Sequence, residues 1–568
     1  MSDHPQEPRD LAMSSGFVPP PLEPPAPVTV DVDASKTIGP MKPIWRFFGA
    51  DEPNYAYMKD GQKLIGELGE LSQRTAYFRT HNLLTTGDGT PALKWGSTNA
   101  YTEDAQGNPV YDWTIVDRIF DTYRDRGVRP YVQIGFMPKA LSTHPDPYQH
   151  HWTPTAGYDE IYTGWAYPPK DYDKWRELVY HWATHCIERY GKAEVETWYW
   201  EVWNEPNIGY WRGTADEFRK LHDHAIAGIR RALPTAKVGG CDAAGGGSEV
   251  FQDFLEHCLH GTNHVTGLVG TPIDFISFHA KGAPKFVSPM PTDPQDKGHV
   301  RMGISNQLRD IDSACAIIAS FPELKDIPII IGESDPDGCA ACQGPQLGYR
   351  NTTMYSSYTA ASFARKYLIA DRHGVNLEGA LTWAFEFEDQ PLFAGFRVLA
   401  TGGIDLPVLN VFRMFGLMGT QERISAVSSG QAALEEVMQS GVRGEVPDVG
   451  VLATKDGHRI AVLVWNYHDD DLPGPDADVR LSITGLGPAS KTAALAHYRI
   501  DEKHSNAFTV WKEMGSPAEP TPAQIATLDA AGKLSRLDGM PKTVVVDDGI
   551  AKLRFSLPRQ AVSLIVIG

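Results

Sequence analysis

The run Thr197-Trp198-Tyr199-Trp200-Glu201-Val202-Trp203-Asn204-Glu205-Pro206 decides how the rest of the chain is read. Its aromatic and β-branched residues predict a short strand over Thr197–Trp203. Pro206 cannot donate to a ladder, so the strand ends before it and Glu205 falls just past the tip. Glu201 lies inside the strand, where a carboxylate is expected to pack or pair.

On both sides of this run the same kind of apolar stretch recurs. Strands are expected at Trp45–Gly49, Ala76–Thr80, Pro130–Ile134, Val238–Gly240, Phe275–His279, Pro328–Gly332 and Ala380–Ala384. Helical periodicity lies between them, at Val116–Arg126, Trp175–Tyr190, Ala215–Ala232, Asn306–Ser320 and Met354–His373, the last stopped by Gly374. Eight strands of parallel type, each followed by a helix, predict an α/β fold of the (β/α)8 TIM-barrel type over residues 40–415. An open doubly wound sheet fits less well, because no G-x-G-x-x-G follows the first strand and no phosphate loop occurs. No repeat of 20 to 50 residues is present, which excludes solenoids and propellers.

After about residue 416 the period changes to two. Ile460–Tyr467, Val479–Ile483, Thr543–Val546, Lys552–Leu557 and Ala561–Ile567 alternate with turn-rich segments and predict an accessory β-sandwich over 416–568. Residues 1–39 read as an extended, Pro-rich segment whose Val28–Val32 could join that sandwich.

Lys and Arg number 52 against 71 Asp and Glu in 568 residues, a net charge of −19. A field of that sign repels phosphate backbones, so nucleic acid and anionic membrane are not expected partners. No apolar run reaches the roughly 18 residues of a membrane helix, and the first residues lack a basic, then apolar, leader. A cytoplasmic address is expected, and a homo-oligomer is compatible with all of this. The six cysteines agree with that address; Cys339 and Cys342 form a lone C-x-x-C with no second pair, and no metal or redox role is assigned to them. His144, His150 and His151 lack helical spacing and carboxylate company, so they read as a loop rim. No cofactor and no metal are expected.

Reactive groups of such a barrel sit where its strands end. Strand four ends at Asn204-Glu205-Pro206 and strand seven at Gly332-Glu333-Ser334. Two carboxylates therefore face one mouth, which is what glycosidic bond cleavage requires: one to protonate the leaving oxygen, one to attack or to activate water. An ionised loop carboxylate is usually just solvated, but two at strand ends shift the balance.

Longer motifs narrow this. Phe78-Arg79-Thr80-His81-Asn82-Leu83-Leu84, Ile134-Gly135-Phe136-Met137-Pro138-Lys139-Ala140-Leu141, Trp203–Ile208, Ser277-Phe278-His279, Leu381-Thr382-Trp383 and Asp501-Glu502-Lys503-His504-Ser505-Asn506 together resemble glycoside hydrolase family 39, and within it the β-xylosidases. The resemblance covers nearly the whole chain after residue 40. It implies Glu205 as acid/base and Glu333 as nucleophile, with retention of anomeric configuration. Asn204 would bind the hydroxyl beside the reacting carbon, and His81 and His279 other hydroxyls. Trp383 would form the aromatic floor, Phe136 a wall, and Glu388 a further hydroxyl contact. The partner it implies is a small oligosaccharide, with terminal xylose removed from short xylo-oligosaccharides. Alternatives are the same machinery on another glycone, with α-L-arabinosidase side activity or endo-cleavage, or a non-catalytic carbohydrate-binding barrel. The two glutamates together with Asn204 argue against that last one.

Two departures stand out. Lys281 occupies a position where some members carry an aromatic, two residues after His279. Glu333 is followed by Ser-Asp-Pro-Asp-Gly and the cysteine pair instead of an aromatic-bearing loop.

Overall fold

The structure, a computed structural model, describes residues 26–568 apart from 293, 294, 384 and 488–490. The Pro-rich stretch up to residue 25 and Ala384 thus lie outside the described residues. Eight parallel strands close into a barrel: Phe47–Ala50, Ala76–Thr80, Val128–Ile134, Tyr199–Val202, Lys237–Ala244, Phe275–His279, Ile329–Glu333 and Leu377–Thr382, the last pairing with the first. Each expected strand is present, with ends shifted by up to four residues. The fold is a (β/α)8 TIM barrel with a second, sheet-rich unit.

The barrel interior is filled in layers, because alternate residues of each strand point inward. The lowest layer is aromatic: Phe47, Tyr77, Tyr131, Tyr199 and Phe275 pack ring against ring, with Tyr77 and Tyr199 centroids 5.1 Å apart. Two residues further along the same strands come Arg79, Gln133 and Glu201, all fully buried. His81 stands two residues beyond Arg79, at the rim. The period of two thus raises a polar site on an apolar plug. At Gly49 a Cβ would lie 2.5 Å from the Trp383 indole, so only glycine lets that ring lie across the first strand.

The helices follow the sequence pattern closely. Ala215–Ala232 carries a capping box between Thr214 and Glu217, and Thr353–His373 ends on Gly374 in the left-handed conformation at φ 64°. The latter helix is buried on nearly all sides, because the barrel covers one face and the second unit the other. Tyr358 packs edge-on against Tyr467, Ser357 donates to Gln560 at 2.6 Å, and Arg365 pairs with Asp448 at 2.9 Å.

The second unit is one continuous ten-stranded sheet that returns on itself. Thr492–Ile500 pairs with Val562–Ile567 on one side and with Thr543–Asp547 on the other. Its two faces enclose Val30, Val32, Val462, Val479, Leu481, Leu557 and Ile565. Val28–Pro40 enters this sheet, parallel to Ala477–Thr484 and antiparallel to Glu422–Ser428. The strands Glu422–Ser428, Asp448–Asp456 and Thr492–Ile500 had no counterpart in the sequence reading, their alternation being blurred by buried polar residues such as Asp448 and Thr454. No helix among the described residues is long and apolar enough to cross a membrane.

One reading is corrected by the structure. Cys339 and Cys342 are joined in a disulfide, while Cys186, Cys241, Cys258 and Cys315 are free and buried. The cysteines therefore no longer speak for a reducing compartment.

Candidate active site

The site is built from the upper ends of the barrel strands. After strand four the backbone turns sharply: Trp203 and Glu205 both have positive φ, 72° and 40°, and the Glu205 N–H donates to the Asp242 carbonyl at 3.0 Å. This turn aims Asn204 inward and Glu205 across the mouth. Asn204 is fully buried; its Oδ1 accepts from Arg79 at 3.0 Å, while its Nδ2 has no partner among the described residues. A buried donor without a partner is costly unless a ligand completes it.

Glu333 ends strand seven and is surrounded by two cationic side chains and two imidazoles. Lys281 Nζ lies 2.5 Å from Oε2, His279 Nδ1 3.8 Å from the same oxygen, and Arg79 Nη1 and His81 Nε2 each 3.7 Å from Oε1. Burial alone would raise this carboxyl; Lys281, His279, His81 and Arg79 overcome it and bring the pKa down to about 2. Glu333 is therefore an anion at any working pH.

Glu205 keeps 14% of its side chain exposed and meets His279, whose Nδ1 is 2.8 Å from Oε1. The other ring nitrogen of His279 is 2.7 Å from Asp242 Oδ2. Burial disfavours the imidazolium, but Asp242, Glu333 and Glu205 raise its pKa to about 10, so it is charged and donates through both nitrogens. His279 Nδ1 thus lies 2.8 Å from Glu205 Oε1 and 3.8 Å from Glu333 Oε2, so both carboxylates face the same imidazole.

Beneath these groups Arg79 ties the site together. Its guanidinium pairs with Glu201 at 2.5 Å and with Asp242, donates to Asn204, and lies under Trp383 at 5.2 Å from the ring centroid. Glu201 pairs as the sequence reading placed it, also accepting from Tyr131 at 2.7 Å; burial, with Asp242 nearby, lifts its pKa to about 7 against the pull of Arg79. His81 is oriented by Asp51 at 2.8 Å, itself paired to Lys94 at 2.5 Å. The His81 ring is tilted against Trp383 at 4.4 Å and meets Phe136 edge-on at 5.4 Å. Phe136 continues into Trp165, Trp203 and Tyr210, forming an aromatic wall.

The structure thus brings together Glu205, Glu333, Asn204, His81, His279, Trp383 and Phe136. It gives Glu388 another task. The Glu388 carboxylate accepts from the backbone N–H groups of Asp60 and Gly61, at 3.2 and 3.4 Å, and so caps the first turn of helix Lys59–Gly69. His150 turns inward to the Lys94 carbonyl at 2.8 Å and His144 stacks on Tyr167, so the three histidines of that loop do not converge.

Arg79, Asp242 and Lys281 belong to the site although the sequence reading assigned them no role in it. Arg79 had a signal, a charge in the middle of an apolar strand. Asp242 had none, since its place depends on a left-handed turn at φ 57° after Gly-Gly-Cys.

A polar cluster of this composition at a barrel mouth belongs to a glycosidase family, and the sequence comparison identifies which. Residues 28–541 match Glycosyl hydrolases family 39. The chain belongs to that family. It is 28% identical over 512 residues to a "Beta-xylosidase" of Geobacillus stearothermophilus, covering 86% of each chain. To an "Alpha-L-iduronidase" of Mus musculus it is 25% identical over 540 residues, 88% of this chain and 75% of that one. Among solved structures, a monomeric beta-xylosidase of Caulobacter crescentus CB15 superimposes with a TM-score of 0.70 at 22% identity, covering 95% of this chain and 99% of that one. Family 39 membership makes the chain a glycoside hydrolase.

Proposed function

We propose that this family 39 glycosidase is a retaining, exo-acting β-xylosidase that removes terminal β-D-xylose from short xylo-oligosaccharides, with Glu333 as nucleophile and Glu205 as acid/base. The observation that carries this reading is the pair of carboxylates facing one imidazole at the barrel mouth, one of them held as an anion by Lys281 and Arg79. Glu333 attacks the anomeric carbon while Glu205 gives its proton to the departing oxygen. A glycosyl ester on Glu333 results; water, deprotonated by Glu205, then opens it, and two inversions leave the configuration unchanged. The free Asn204 Nδ2 is placed to donate to the hydroxyl beside the reacting carbon, a contact that strengthens as positive charge develops there. The test is to follow the first-formed sugar from an aryl β-xyloside by NMR. Release of the β-anomer is expected; the α-anomer would mean inversion and would remove Glu333 from the nucleophile role.

A second reading is favoured by Lys281. Its ammonium is buried in the site and already binds Glu333 and Asp335. A cation there suits a glycone bearing a carboxylate, as in the substrate named for the iduronidase relatives. A panel of aryl β-xyloside, β-glucoside and α-L-iduronide decides between the two. An extra group in a tight pocket typically changes selectivity by about 10- to 200-fold, so xyloside should exceed glucoside by that factor. Faster turnover of the iduronide would establish the second reading in place of the first.

A further inference from the structure

On the outer, helical layer of the barrel lies a cluster that the glycosidase chemistry does not use. Asp223 comes from the middle of helix Ala215–Ala232, His257 from the last turns of helix Glu249–His260, and His264 from the loop leading towards Phe275. The carboxylate of Asp223 and one ring nitrogen of each histidine all lie within 4.8 Å of one another. His257 Nε2 stands 3.1 Å from both Asp223 oxygens, and His264 Nδ1 2.9 Å from Oδ2.

The Asp223 carboxylate is the hub of the cluster and is crowded with donors. Besides the two imidazoles, Asp223 accepts from the Thr271 hydroxyl at 2.6 Å and from the His264 N–H at 2.8 Å. His257 is aimed at the carboxylate bisector, where it divides one proton between two oxygens that already have other donors. A third imidazole, His222, backs the carboxylate at 3.9 Å. Two nitrogens and an oxygen around a tetrahedral ion with bonds of about 2.0–2.1 Å would be roughly 3.3 Å apart, close to the separations found.

A second feature is independent of these distances. The outward nitrogen of His264, Nε2, is 3.4 Å from Asp216 Oδ1. Metal-binding histidines characteristically hand their other N–H to a carboxylate, which fixes the tautomer that leaves the inner nitrogen free to coordinate. His264 is also the exposed member of the group, so it provides a route for an ion from solvent. Asn263 holds the loop in place by accepting from the N–H groups of Val265 and Thr266 and by donating to Thr271 at 2.9 Å.

We propose that Asp223, His257 and His264 form a binding site for a divalent transition ion of the zinc type, tying two barrel helices to the loop before strand six. On binding, His264 Nδ1 and His257 Nε2 each exchange their hydrogen bond to Asp223 for coordination; the proton of His264 moves to Nε2 towards Asp216, and that of His257 to its Nδ1. Water fills the remaining position. Two imidazoles and one carboxylate select zinc over magnesium or calcium, which require more oxygen ligands. The ion has a cross-linking role, since none of its three ligands contacts Glu205 or Glu333 among the described residues.

The test uses the full chain, stripped with a chelator and titrated calorimetrically with zinc chloride. One equivalent is expected to bind, with a rise in Tm, while magnesium chloride gives neither effect. His264→Ala, on an exposed loop, should fold and turn over aryl glycoside as before, but lose at least about 100-fold in zinc affinity. Asp216→Asn should weaken binding by about 10-fold, the lower end of what such outer partners contribute. Anomalous scattering from a zinc-soaked crystal should place the ion between the three side chains. Absence of stoichiometric binding, unchanged affinity in His264→Ala, or an ion located elsewhere would each overturn the proposal.

Discussion

His279 holds Glu205 through Nδ1 at 2.8 Å while its Nε2 is committed to Asp242 at 2.7 Å. The imidazole cannot rotate without breaking one of two charge-assisted bonds, so the direction of Glu205 is fixed from the floor of the site. Replacing it with Asn, which is too short to span both carboxylates, should lower kcat/KM by about 100-fold, the loss typical of one missing oriented donor. Equal activity in His279→Asn would show that Glu205 is positioned by other means.

The same residue gives a pH signature. Its pKa is about 10 in the folded chain against an ordinary 6.5. A raised pKa means that the folded state binds the proton more tightly, so the stabilisation is complete below about 6.5 and fades as pH climbs through about 10. Denaturant midpoints measured across that window should decline in the wild type, and the decline should be shallower in His279→Asn.

Glu333 behaves in the opposite sense. Its carboxyl falls from 4.5 to about 2 on folding, so its contribution to stability is present above about 4.5 and is lost as pH drops towards 2. Glu333→Gly should remove the nucleophile and reduce turnover of an aryl β-xyloside by at least about ten-thousand-fold. Added azide should then restore product formation by entering the vacated space. A variant with near wild-type turnover and no response to azide would remove Glu333 from the reaction.

The sequence carried the barrel and its two glutamates because strand ends are local features: an apolar run, a breaking residue, a carboxylate in between. It carried less of the supporting network. Arg79, Asp242 and Asp51 act through partners 163, 37 and 30 residues away, and such pairings follow from the closed barrel, with no periodicity to reveal them. Glu388 was unplaceable for a related reason: the loop after strand eight brings its carboxylate to the N–H groups of Asp60 and Gly61, a contact between distant segments. The Asp223 cluster escaped because its three members come from two helices and a loop, with spacings that match no metal motif.

Glu205 is expected to separate substrates by leaving group. Glu205→Ala should hit alkyl xylosides or xylobiose hard, since their leaving oxygens need a proton, and activated aryl xylosides much less. Steady-state kcat/KM on both classes measures this. Equal losses on the two would sink the acid role and leave Glu205 as a positioning group.

Lys281 offers the sharpest separation of chemistry from scaffolding. Among the cations that hold Glu333 ionised against burial, it is the nearest, at 2.5 Å. Lys281→Met keeps the length of the stem but removes the charge, so the Glu333 pKa should rise by about 1–3 units, as when one close opposite charge is lost. The acidic limb of the kcat/KM profile should then move to higher pH. Asp335 loses the same partner but keeps Arg397 at 3.5 Å and the Trp383 N–H at 2.9 Å, so some stability is also expected to go. That structural loss would depress activity at every pH without moving the limb, which is what distinguishes the two effects. Lys281→Arg restores a charge with a different reach and should return the limb towards its original position even if kcat stays low. A limb that does not move in Lys281→Met would mean that Arg79, His81 and His279 suffice to keep the nucleophile ionised, and that Lys281 serves the sugar instead.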